Sequence, residues 1–209
     1  MSKLLEYIQP VLKDPVFSYT ALASCLSGSS DRKHALVKRA LHAKDIIQLR
    51  RGLYCVSERH QKRCSLFDVA QYIYGPSYVS FESALEYHGW IPEAVYTLTC
   101  ASQGKSKVFD TPLGRVMYRR IPAEVFYEGV ERNAEGVFVA TPFRAILDIL
   151  YARRKAWKSA GDVTADMRVE NDLLRALGRD EIMSYKTVYR SRRVHLFLKA
   201  LLAEGGHEH

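Results

Sequence analysis

Stretches whose apolar residues recur at helical spacing occupy the start and end of the chain, and short strand-like runs lie between them. Leu4, Leu5, Ile8, Val11 and Leu12 form one apolar stripe from Lys3 to Lys13, with Asp14-Pro15 as the stop. A second helix starts at Ser18 or Tyr19, runs through Ala21, Leu22, Ala23, Cys25 and Leu26, and closes at Ser27-Gly28. Ser29 or Ser30 then caps a third helix from Asp31 to about Lys44. Its Leu36, Val37, Ala40 and Leu41 share one face, while Arg32, Ala35, Lys38, Arg39 and His42 project to the other. Two β-prone runs follow, Ile46-Ile47-Gln48-Leu49 and Leu53-Tyr54-Cys55-Val56. Arg50-Arg51-Gly52 joins them, with glycine supplying the positive φ of a tight hairpin. Residues 18–56 therefore predict a winged helix-turn-helix.

Residues 57–66 are polar and basic and read as a linker, so the expected division is a domain over 1–64 and another over 65–209. In the second, Asp68–Tyr74 fits a short helix ended by Gly75-Pro76, and Ser80 caps Phe81–His88, closed by Gly89. Strand-like runs cover Ala94–Ala101, Lys107–Phe109, Arg115–Ile121, Val125–Val130 and Val137–Ala140, too close together for an all-parallel sheet. From Thr141-Pro142 the period turns helical, with Thr141 as cap and proline in the first turn. Further helices fit Asp166–Leu177, Glu181–Tyr185 and Thr187–Leu202. The expected class is α+β: a winged N-terminal unit, then a mixed α/β domain with an antiparallel or mixed sheet and several helices.

Charge sharpens that division. Residues 1–64 hold 12 Lys and Arg against 5 Asp and Glu, and residues 65–209 hold 19 against 18, so nearly all of the net +8 belongs to the N-terminal part. A local cationic surface draws polyanions and releases their counterions. Duplex DNA is the partner this predicts, with the helical motif in the major groove and the hairpin arginines on phosphate or the minor groove. Four cysteines, at 25, 55, 64 and 100, form no CxxC pair and read as buried free thiols. The Gly205–His209 tail reads as a frayed end. No apolar run reaches membrane-spanning length, and Glu6 interrupts what would be a signal sequence. The expectation is a cytoplasmic protein without a membrane partner.

Catalytic chemistry is poorly supplied. Gly28-Ser29 suggests the opening of a nucleotidyltransferase site, but that reaction needs two carboxylates on one strand to hold Mg²⁺, and Asp45 is followed by Ile46-Ile47. The one Asp-x-Lys, Asp31-Arg32-Lys33, falls in the third helix rather than on a strand, and no Glu-x-Lys, G-x-S-x-G, P-loop or G-x-G-x-x-G occurs. His88 reads as a capping or packing histidine, and Tyr72, Tyr74, Tyr78, Phe81 and Tyr87 as core aromatics. No cofactor, metal or enzymatic activity is expected. Two late basic clusters remain. Arg153, Arg154, Lys155 and Lys158 suit a helix carboxyl end, whereas Arg190, Arg192 and Arg193 open a helix, where the dipole opposes them and a contact surface is the better reading.

Together the halves resemble the AbiEi-type antitoxins of bacterial abortive-infection, type IV toxin–antitoxin systems. The likeness rests on Leu49-Arg50-Arg51-Gly52-Leu53-Tyr54, on Tyr78-Val79-Ser80-Phe81-Glu82-Ser83-Ala84-Leu85, on His88-Gly89 and the run Val95–Thr99, and on Thr141-Pro142-Phe143-Arg144-Ala145-Ile146-Leu147-Asp148-Ile149-Leu150. It implies an autorepressor on promoter inverted repeats that also counteracts a co-encoded nucleotidyltransferase toxin, without requiring a stable complex with it. Carried onto this chain, DNA reading falls to Ser30, Arg32, Lys33, Lys38, Arg39, Arg50 and Arg51. The antitoxic surface falls to Arg153, Arg154, Lys158, Arg190, Arg192 and Arg193. The linker 57–64 departs from the pattern in being unusually basic. Two other readings stand beside this one: a winged regulator whose second domain senses a small molecule or protein, and a DNA-processing enzyme with an unrecognised site.

Overall fold

The computed structural model describes residues 3–8, 10–11, 14, 16–60, 64–122 and 124–204. It is an α+β fold with two sheets. The first part holds α1 (Lys3–Ile8), β1 (Val16–Ser18), α2 (Tyr19–Cys25), α3 (Ser30–His42), β2 (Ile46–Arg50) and β3 (Leu53–Val56). The expected hairpin is β2–β3, and its Gly52 has the required φ of +75°. β1, absent from the expected elements, adds to it as a third antiparallel strand in the order β1-β3-β2.

α1 ends at Ile8 rather than near residue 13. Pro10 lacks the N–H that another helical turn needs, and Val11 leaves the apolar stripe for solvent. Leu12, Lys13 and Pro15 of the expected helix and stop lie outside the described residues, as do 61–63 of the linker and the 205–209 tail. α3 is capped by Ser29, whose Oγ accepts the Arg32 N–H at 3.4 Å.

The strand period of two sends alternate residues to opposite faces of this small sheet. Phe17, Ile46, Tyr54 and Val56 close over the helices with Leu4, Leu5, Ile8, Leu22, Val37 and Ala40. Val16, Leu49, Leu53 and Cys55 join the larger core of the second part. The sheet is thus a shared wall, and the Arg50 Nε–H donates across it to the Ile73 carbonyl at 2.8 Å.

The second part contains α4 (Leu66–Ile73), β4 (Ser77–Val79), α5 (Phe81–Tyr87), β5 (Leu98–Ser102), β6 (Lys107–Thr111), β7 (Gly114–Arg120), β8 (Val130–Arg132), β9 (Phe138–Ala140), α6 (Pro142–Ala152), α7 (Ala160–Met167), α8 (Asn171–Arg175), α9 (Arg179–Ser184) and α10 (Arg192–Glu204). Its sheet is mixed, in the order β6-β7-β5-β4-β9-β8, with β4–β9 and β5–β7 parallel and the other pairs antiparallel. Thr141 caps α6 as expected, accepting the Arg144 N–H at 3.3 Å. α4 starts earlier than expected because Ser65 and Asp68 form a reciprocal capping box.

Further expectations are corrected. β5 begins at Leu98, and the β-prone residues before it are loop, with Tyr96 in solvent. The run from Val125 is turn until Val130, because buried Arg144 draws the carbonyls of Phe126 and Glu128 toward it at 3.4 and 2.9 Å. Gly129 completes that turn at φ +65°, where a Cβ would collide with the Tyr185 hydroxyl. Finally, Asp166 falls in the last turn of α7, which Arg168 ends in a left-handed conformation, and α10 starts at Arg192 rather than Thr187. No helix among the described residues is long and apolar enough to cross a membrane.

Candidate nucleic-acid interface

α3 carries its cations where the helical period puts them. Val37 and Ala40 are buried and Leu36 and Leu41 pack beside them, which leaves Arg32, Ala35, Lys38, Arg39 and His42 exposed. None of Arg32, Lys38 and Arg39 meets a carboxylate among the described residues, and Arg39 is steadied by an Nε–H bond to the Ala35 carbonyl at 3.2 Å. Ser30, exposed on the first turn, approaches His34 Nδ1 at 3.3 Å. Lys33 turns inward instead, its Nζ donating to the Ala23 carbonyl at the end of α2 at 2.7 Å. That cation complements the carboxyl end of a helix and joins α2 to α3.

The hairpin arginines separate. Arg51 is exposed at the turn, with no partner for its guanidinium among the described residues. The turn is anchored by the Tyr19 N–H, which donates to the Gly52 carbonyl at 2.8 Å. Arg50 is the last residue of β2, and its bond to Ile73 aims it at α4.

The later basic residues also divide. Arg153 is paired with Glu82 at 2.6 Å, Lys155 with Asp166 at 2.6 Å, and Arg190 with Glu124. Lys158, Arg192 and Arg193 instead rim a groove of about 600 Å³ floored by Trp157, Leu196 and Ala200. Arg154 and Arg193 meet in a second, polar cleft with Arg119 and Arg120 of β7. Arg119 and Arg120 belong to the expected strand Arg115–Ile121 and are not among the expected site residues. The available signal was an adjacent arginine pair closing a strand just before Ile121-Pro122.

No protein-family model and no curated protein matches this chain.

The most buried charges lie elsewhere. Arg144 and Asp148, one turn apart on α6, are wholly enclosed and 3.3 Å apart. Asp148 accepts from the hydroxyls of Tyr78 at 2.9 Å, Ser80 at 2.6 Å and Tyr189 at 2.5 Å. Arg144 donates to Tyr78 at 2.6 Å in addition to the two loop carbonyls. Burial pushes the Tyr78 and Tyr189 hydroxyls well above the usual tyrosine range, and the neighbouring Asp148 adds to it. Burial works against the Arg144 charge, but Asp148, Tyr189 and Tyr78 outweigh it and raise its pKa. Arg144, Asp148, Tyr78, Ser80 and Tyr189 are all buried and their polar atoms are partnered, so the network orders the core. Two charges four apart in an otherwise apolar helix were its sequence signal.

Other candidates become structural. Asp45 is buried with an oxygen 2.5 Å from His60 Nε2. His88 caps α5 and reaches the Ala140 carbonyl at 3.0 Å. Of the aromatic set, Tyr78 and Phe81 are core, Tyr74 is half-buried, and Tyr72 and Tyr87 are exposed. Cys55, Cys64 and Cys100 are buried and Cys25 partly so; a hydrogen bond that the Cys64 thiol donates to Cys55, together with burial, holds Cys64 protonated.

Proposed function

We propose that this chain is a non-catalytic, cytoplasmic DNA-binding autorepressor and antitoxin. In this reading residues 1–64 act as a winged helix-turn-helix, with α3 in the major groove of promoter inverted repeats and Arg51 on the flanking backbone. Residues 65–209 counteract a co-encoded nucleotidyltransferase toxin through the basic surface around Arg154, Lys158, Arg192 and Arg193. The observation that carries the DNA half is the exposed cationic face of α3, where Arg32, Lys38 and Arg39 meet no carboxylate among the described residues. An α-helix fits the major groove, and a small residue such as Ala35 permits close approach there. The helix-strand-helix-helix-strand-strand order of the first part, with an arginine at the hairpin turn, fits the same reading. The antitoxic half leans on the resemblance to AbiEi-type antitoxins and on that late basic surface.

Mobility-shift titration against the DNA upstream of its own gene tests the first half. Binding is expected to fall steeply as salt rises, with a log–log slope of about −0.9 for each phosphate neutralised. Affinity equal for that DNA and for unrelated duplex would overturn the operator reading. Co-expression with the neighbouring open reading frame tests the second half: the chain should relieve growth arrest, and continued arrest overturns the antitoxin assignment. A winged regulator sensing a protein or small molecule is the second reading, favoured by the apolar-floored groove at Trp157, Leu196 and Ala200. It gains if operator binding survives while growth rescue fails.

A further inference from the structure

The second part is nearly neutral as a whole, yet four arginines line one cleft of about 350 Å³, Arg119 and its strand neighbour Arg120 reaching it from opposite faces of β7. Arg119 and Arg120 come from the end of β7, Arg154 from the residue after the α6 cap, and Arg193 from the first turn of α10. No acidic side chain lines the cleft, and none of the four has a carboxylate partner among the described residues. Their neighbours differ: Arg153, Lys155 and Arg190 each meet an acid. Arg192, beside the cleft, also has no carboxylate partner among the described residues, and Arg119 borders an adjoining pocket that Glu82, Glu93 and Asp166 line. Like charges held together repel, and the amino end of the 13-residue α10 adds positive potential at Ser191 and Arg193. Arg154 is moreover held at φ +53°, a conformation that non-glycine residues seldom adopt. Such an arrangement is stabilised by an anion placed among the guanidinium forks, which match phosphate oxygens two at a time. Tyr151 supplies an aromatic wall beside them. A volume near the small end of ligand sites, roughly 300–1,000 Å³, suits a single nucleotide unit.

We infer that this cleft binds the phosphate of a nucleotide, with the sugar or base against Tyr151, as a separate site from the α3 surface. The phosphate can belong to a free nucleotide or to a single strand passing through, and the test distinguishes them. The full chain carrying Arg39→Ala and Arg51→Ala, which disables the proposed duplex-binding face, is titrated against a labelled single-stranded RNA of about 12 nucleotides, within the site size of known strand binders. ATP is titrated separately and as a competitor. Arg119→Gln, Arg154→Gln and Arg193→Gln are each expected to weaken binding by about fivefold to hundredfold, the range for one lost arginine contact. Arg154→Lys, which keeps charge but loses the fork, should recover only part of it. Tight strand binding with weak ATP competition assigns the strand as source; equal affinities assign the free nucleotide. No binding of either probe, or binding indifferent to all three glutamine variants, overturns the site. Thermal melts verify that each variant is folded, and exposed Arg154→Gln serves if partly buried Arg193→Gln does not fold. Because the α3 face is disabled throughout, failure here leaves the operator reading untouched.

Discussion

Over residues 16–60 the cations Arg32, Lys38, Arg39 and Arg51 stand on open surface with no carboxylate beside them among the described residues, whereas over 77–204 Arg115, Arg144, Arg153, Lys155, Arg168 and Arg190 each meet one. The first arrangement leaves positive potential available to a partner. The second uses it up within the fold. Net charge alone distinguishes the regions only as averages, while the pairing identifies which cations remain unspent. By that criterion Arg119, Arg120, Arg154 and Arg193 belong with the N-terminal cations despite their location, and Arg153 and Arg190 of the expected antitoxic surface do not.

The sharpest test of the comparison removes a paired charge at full burial. Asp148→Ala leaves the Arg144 guanidinium and the Tyr78, Ser80 and Tyr189 hydroxyls short of their acceptor, and should cost about 3–5 kcal/mol in urea unfolding. Replacing both members by apolar residues of similar volume, Arg144→Met with Asp148→Leu, should cost less than that single change. A loss below about 1 kcal/mol for Asp148→Ala would place the network outside the folding core and break the contrast.

Within the N-terminal unit the same contrast separates two adjacent arginines. Arg51→Ala should weaken operator binding by about 1–3 kcal/mol if it reaches a base edge, and less if it touches only phosphate, with stability unchanged. Arg50→Ala should instead lose about 0.5–1.5 kcal/mol of stability, because its bond to the Ile73 carbonyl holds the hairpin against α4. Mobility shifts paired with urea melts separate the effects. Equal losses of DNA affinity would place Arg50 at the interface too and remove the distinction.

That distinction was out of reach in the sequence, and the reason is general. Period and capping made α3, the β2–β3 hairpin and the Thr141-Pro142 start of α6 legible, since each is set by neighbours within a few residues. The exposed face of α3 followed from the same period. β1, the turn at 125–129 and the inward aim of Arg50 and Lys33 depend on residues far along the chain: Cys55 and Tyr54 for β1, Arg144 for the turn, Ile73 for Arg50. The cleft was illegible for the same cause, because β7, α6 and α10 contribute to it from positions up to 74 residues apart, Arg119 to Arg193. Which of two like residues is paired is a tertiary fact.

The smallest effect should come from a paired charge near the surface, and it tests whether pairing or burial matters in the comparison. Asp166 accepts from Lys155 Nζ at 2.6 Å and from the Trp157 indole at 2.8 Å, while remaining partly exposed. The Lys155 bond chiefly holds its carboxyl below the usual aspartate range; burial opposes it, and the Trp157 bond adds to the lowering. A depressed folded pKa means that the stabilisation is complete above the unfolded-state value and disappears as pH falls through the folded one. Solvent screening limits it to about 0.2–1 kcal/mol. Asp166→Asn should therefore be slightly less stable than the parent chain at neutral pH, and the gap should close on acidification below the ordinary aspartate range. Trp157 emission, reporting the lost indole bond, should shift over the same interval in the parent and not in the variant. A gap as large as that of Asp148→Ala would mean that pairing alone, without burial, sets the energy of these contacts; a gap independent of pH would remove Asp166 ionisation as its cause.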